Sequence, residues 1–110
     1  MSQLDQLGID ILALPCSRNM RDLMFEAKKN ELVQVAEAYG MSLEELKNVL
    51  DVELAECGAK VGTCNMAINF LIIETFTENK KYESVKAAIK SNILNAAVYY
   101  ANGIGKSEYV

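Results

Sequence analysis

At 110 residues, 51% of them hydrophobic and 24% charged, the chain has the length and composition of one globular core and excludes intrinsic disorder. A single Pro and six Gly are too few for the turns of an all-β sandwich or barrel; with no His in the sequence, Ser–His and metal-hydrolase chemistry are set aside, and no catalytic residue, metal or cofactor is expected. The net charge of −4 argues against a general polyanion binder.

The charge is unevenly spread. From Glu31 to Glu56 seven carboxylates stand against Lys47 alone, whereas between Lys80 and Ser107 the lysines Lys80, Lys81, Lys86, Lys90 and Lys106 face a single Glu83. An acidic middle and a basic end predict attraction, either within one subunit or between two.

Residues 2–14 carry Leu4, Leu7, Ile9, Ile11, Leu12 and Leu14 around Gly8, a pattern that fits a short helix or an extended arm. The segment lacks the basic start and cleavage site of a signal peptide. Pro15 interrupts it, and Ser17 or Asn19 suits the N-cap of a helix. The next apolar residues fall on two stripes, Met20–Leu23–Met24–Ala27 and Leu32–Val35–Ala36–Tyr39. At about 100° per residue these stripes are turned from each other by more than a right angle. Either the helix breaks near Asn30, or both faces are buried, one of them by a partner chain.

Gly40 closes this run, and Ser42-Leu43-Glu44-Glu45 reads as a capping box that starts a helix at Leu43. Its inner stripe is Leu43, Leu46, Leu50, Leu54 and Cys57; the opposite face offers Glu44, Glu45, Asn48, Asp51 and Glu56. Gly58 is the natural stop. Thr63 then suits the cap of a strong helix to about Glu78, where Ala67, Ile68, Phe70, Leu71, Ile72, Ile73 and Phe76 cover most of the circumference. A helix apolar nearly all round is central or lies at a subunit interface. Strand competes over Phe70–Phe76, but nothing else in the chain offers a partner strand. After a polar connection, Ser84 predicts the cap of a last helix, Val85–Asn102, with Val85, Ala88, Ile89, Ile93, Ala96, Ala97 and Tyr100 inward and Gly103 as its stop. The longest apolar run, Met66–Ile73, is far below the ~20 residues needed to span a bilayer.

Several constellations bear on function. Val35-Ala36-Glu37-Ala38-Tyr39-Gly40-Met41-Ser42, followed by Leu46 and Val49, resembles the helix-turn-helix signature: a small residue where the helices cross, Gly at the turn, and two apolar positions packing back. The resemblance implies that the second helix would enter a DNA groove, yet it would present Ser42, Glu44, Glu45, Lys47, Asn48 and Asp51, three carboxylates and one amine, to a phosphate-lined surface. Gly103-Ile104-Gly105-Lys106-Ser107 imitates the end of a phosphate-binding loop, but Tyr100 stands where that loop needs Gly. Lys86 and Lys90 with Tyr99 and Tyr100 form a candidate anion-binding cluster. Glu74, inside an apolar run, is expected on an exposed edge or beside a lysine. Met20, Met24 and Met66 suit gap-filling in the core. Cys16, Cys57 and Cys64 have no framework spacing and read as reduced thiols.

The expectation is therefore an all-α single domain over 1–110. Four to five helices form a compact orthogonal bundle or an intertwined dimer, with a helix-turn-helix-like pair at 31–57. A cytoplasmic, non-enzymatic regulator or inhibitor fits best. It would bind a protein partner through Glu44, Glu45, Asn48, Asp51 and Glu56, and would self-associate, most simply as a dimer. Composition resembles that of accessory proteins of phages and mobile elements. A dimeric helix-turn-helix DNA-binding regulator and a small-ligand or nucleotide binder are the alternatives.

Overall fold

The computed structural model describes residues 13–78 and 80–101. Among them the chain forms five α-helices and no strand: α1 Arg18–Ala27, α2 Lys29–Ala38, α3 Leu43–Cys57, α4 Val61–Glu78 and α5 Val85–Ala101. The chain is an all-α bundle. The Gly103 cap, the Gly103–Ser107 tract and nearly all of the 2–14 segment lie outside the described residues.

Local chemistry sets most of the boundaries. The Ser17 hydroxyl accepts from the Met20 amide at 3.2 Å and caps α1. The break between the two stripes falls at Lys28, whose backbone (φ −112°, ψ 16°) leaves the helical region and which makes no side-chain cap. Splitting the segment there brings Met24 and Phe25 of α1 into one core with Leu32, Val35 and Ala36 of α2. Within one chain the second stripe is buried through Leu32, Val35 and Ala36, and the first only through Met24.

The inward face of α1 differs from the expected one. Leu23 is 64% exposed and Ala27 is also outside, while Phe25 is 5% exposed. The cause is a pairing between helices: Arg21 Nε donates to Asp51 Oδ1 of α3 at 2.6 Å. Arg21, Met24 and Phe25 share a face at i, i+3 and i+4, so anchoring Arg21 on α3 turns Leu23 to solvent.

At the end of α2, the Met41 amide donates to Ala36 O at 3.0 Å and the Gly40 amide to Glu37 O at 3.1 Å, with Gly40 at φ +65°. This is a Schellman motif, and its left-handed residue is the position that favours glycine. The capping box forms: Glu45 N–H donates to Ser42 Oγ at 3.1 Å, and Ser42 N–H to Glu45 Oε1 at 3.0 Å. Gly58 ends α3 at φ +63°.

A short strap precedes α1. The Cys16 amide donates to Ala59 O at 3.3 Å and the Val61 amide to Leu14 O at 2.9 Å, tying residues 14–16 to the α3–α4 turn. This corrects the expected start of α4. The strap satisfies the amide of Val61, the helix begins there, and Thr63 falls inside its first turn. Ser84 caps α5 as its sequence suggests, accepting from Ala87 N–H at 3.1 Å.

The residues of Phe70–Phe76 are helical, and α4 is the central element. Cys64, Ala67, Ile68, Leu71 and Ile72 are buried, while Ile73 and Phe76 turn outward. Its most extensive partner is α5, and α2 and α1 also pack on it. The α4–α5 pair is antiparallel, as the Glu74–Asn92 hydrogen bond and the Phe70–Tyr99 ring contact at 5.7 Å require. Helix α5 packs against α3 as well. Among the described residues no helix is long and apolar enough to cross a membrane.

Candidate functional site

Helix α3 has an inner row, Leu46–Leu50–Leu54, that is fully inside, and a flank that turns toward α5. Between that flank and α5 lies a trough in two compartments. One, of about 250 Å³, is lined by Asn48, Val49, Val52, Glu53 and Lys86. The other, of about 390 Å³, is lined by Glu53, Glu56, Cys57, Lys90, Ile93, Leu94 and Ala97. Low numbers on α3 meet low numbers on α5, so the two walls run in the same direction.

Glu53 divides the compartments. It is 6% exposed, and its oxygens lie 4.0 Å from Lys86 Nζ and 3.9 Å from Lys90 Nζ. Lys86 and Lys90 sit one turn apart on α5, so both ammonium groups reach a single carboxylate. These are charge contacts at the limit of an ion pair, and both lysine side chains remain mostly in water. Around this clasp the walls are apolar: Val52 on one side, and Leu94, 65% exposed, on the other, with Val98 exposed a turn beyond Leu94. Cys57 and Ala97, expected in the core, line the trough instead.

The anticipated acidic face is only partly free. Glu44, Glu45, Asn48 and Glu56 are exposed. Asp51 is turned to the α1 side, where Arg21 holds it; Arg21 also donates from Nη1 to Cys16 O at 2.8 Å, joining α1, α3 and the strap. The carboxyl of Glu45 is held below the usual carboxylate range by the backbone and hydroxyl hydrogen bonds of Ser42. Lys47 leans back to Asp22 at 3.8 Å and over the Phe25 ring at 5.7 Å.

The structure does not bring the candidate anion cluster together. Lys86 and Lys90 face Glu53 of α3, while Tyr99 packs edge-on against Phe70 of α4 and against Tyr100 at 5.3 Å. Nine residues of helix, about 13 Å along the axis, separate Lys90 from Tyr99. Glu74, expected on an exposed edge or beside a lysine, is half-buried and meets an amide: Asn92 Nδ2 donates to Glu74 Oε1 at 3.2 Å, and Asn95 donates on to Asn92 Oδ1 at 3.3 Å. Near this polar chain the Tyr39 hydroxyl is buried, and burial, reinforced by the charge of Glu74, pushes its ionisation up.

Sequence reasoning missed Glu53. Its signal was there: Glu53 is three residues beyond Leu50, on the inner stripe, and two lysines at i, i+4 wait later in the chain. The α2–α3 pair does have the local packing of its motif, with Ala36 and Leu46 buried, Gly40 in the turn and Val49 half-buried. No known protein family, curated protein or solved structure matches this chain.

Proposed function

We propose that this chain is a small, non-enzymatic regulatory or inhibitory protein of the cytoplasm, of the style carried by phages and mobile elements, that acts by binding a protein partner in the α3–α5 trough. One observation carries the reading: Val52 and Leu94 face solvent on opposite walls of an apolar trough, with the exposed carboxylates of Glu44, Glu45 and Glu56 along α3. The occupant that suits this chemistry is an amphipathic helix with aliphatic anchors and basic flanking residues. Self-association belongs to the same proposal, and its natural surface is Ile73 and Phe76 on α4, a helix that does not line the trough.

The test is affinity capture from a host lysate with mass-spectrometric identification, run beside Leu94→Glu and Ile73→Glu variants whose folding is verified by circular dichroism. We expect a captured protein that Leu94→Glu loses and Ile73→Glu keeps. Light scattering should give a dimer that Ile73→Glu dissociates. Identical capture by all three chains would refute the trough, and a wild-type mass of 12.2 kDa would refute self-association.

A DNA-binding regulator is the second reading, supported by the local packing of α2 on α3. Against it, the start of α3 presents Glu44 and Glu45, and Arg21 is already engaged by Asp51. Nucleic-acid affinity rests chiefly on cations that replace counterions at phosphates. Retardation of duplex DNA at low salt would establish this reading in place of the first.

A further inference from the structure

The three cysteines, without framework spacing in the sequence, converge around the α3–α4 turn. The carbonyl of Ala59 accepts from the backbone amide of Cys16 at 3.3 Å and from the thiol of Cys64 at 3.9 Å. The Cys16 thiol itself points to Ser17 O at 3.9 Å, so the Cys16 backbone and the Cys64 thiol meet on one carbonyl oxygen. Cys64 is fully buried, Cys16 is half-buried, and Cys57 is exposed with its thiol donating to Leu54 O at 3.2 Å. The strap hydrogen bonds and the Arg21 contact to Cys16 O fix the backbone on the Cys16 side; α4 fixes it on the other. Among the described residues no group of three or more Cys, Asp or Glu side chains is arranged to hold a metal ion.

We propose that Cys16 and Cys64 are an oxidisable pair that closes to an intramolecular disulfide in the folded chain, with glutathione disulfide as a competent oxidant. The roles follow from exposure. Of the pair, Cys16 is the more accessible: its thiolate attacks one sulfur of glutathione disulfide, giving a mixed disulfide at Cys16 and releasing one glutathione. Cys64 then loses its proton and attacks the Cys16 sulfur, and the second glutathione departs as a thiolate that takes up a proton. Two thiols are oxidised, one disulfide is reduced to two thiols, and the atoms balance. Burial pushes the Cys64 thiol up, which suits a resolving thiol that stays protonated until its partner sulfur is in contact. The product would lock the strap of residues 14–16 onto α4.

The pairing can be read directly, because trypsin leaves the three cysteines in separate peptides: Cys16 in residues 1–18, Cys57 in 48–60 and Cys64 in 61–80. Folded protein is oxidised with glutathione disulfide, the remaining thiols are alkylated, and the digest is mapped without reduction. The expected product joins peptides 1–18 and 61–80, leaves Cys57 outside the link, alkylated or carrying glutathione, and is reversed by dithiothreitol. Cys57→Ser should give the same linked peptide, and Cys64→Ala should leave glutathione on Cys16. In guanidinium the preference should pass to Cys57–Cys64, whose short loop closes at least entropic cost. A folded-state map dominated by Cys57–Cys64, by Cys16–Cys57 or by links between chains would overturn the proposal, as would a Cys16–Cys64 yield no greater than in the unfolded chain.

Discussion

Ser42 and Glu45 do more for the start of α3 than their exposure suggests. Each satisfies the other's amide, and two of the orphan donors of the helix end are removed together. Ser42→Ala should cost about 1 kcal/mol, visible as a fall of about 4 °C in Tm. Glu45 adds a pH dependence of known sign. Its folded-state pKa lies below its unfolded one, so its contribution is complete above the ordinary carboxylate pKa and is lost as pH falls through the lowered value. The difference in urea midpoint between wild type and Glu45→Gln should therefore be largest at neutral pH and shrink in acid below roughly pH 4. A constant difference down to the acid transition would contradict the pairing.

At the scale of elements, the unusual piece is the carboxylate buried between α3 and α5. An ion pair out of water repays its desolvation poorly, yet stranding one member costs far more than replacing it. Two changes should consequently differ in sign of severity. Replacing Lys86 and Lys90 together by Ala leaves Glu53 without a counter-charge and should cost roughly 1–3 kcal/mol in a urea titration. Glu53→Met frees two lysines that already stand mostly in water, and should be neutral or stabilising. This contrast also marks what was legible from the sequence. The Ser42 capping box, the Gly40 turn, the Ser84 cap and the Leu32–Val35–Ala36 stripe are local patterns, each contained within a few residues, and each forms. The turn of α1 that exposes Leu23, the early start of α4 at Val61 and the Glu53 clasp all depend on contacts between segments far apart in the chain. Periodicity tells which side of a helix is greasy; it does not tell which neighbour arrives there.

For the whole molecule, α4 is the element against which α1, α2 and α5 pack. Leu71 is almost fully buried at its centre, and Leu71→Ala should cost about 2–5 kcal/mol, lowering the midpoint of a single cooperative transition rather than splitting it. The candidate site was less visible than the fold for a reason of geometry. Its carboxylates Glu44, Glu45 and Glu56 were evident as one helix face, but the apolar walls required knowing that α5 lies alongside α3. Val52 and Glu53 come from α3, whereas Lys86, Lys90 and Leu94 come from α5.

That side-by-side arrangement has a practical consequence. The cleft exists only after the intervening helix has gone out and the chain has come back, so a synthetic copy of either wall would be half a receptor with nothing opposite. Overlapping short fragments, the usual first tool for mapping an epitope, would miss any binder of this surface. Selection against the intact domain would find it, and the reagent obtained would double as a conformational reporter, silent whenever the bundle comes apart.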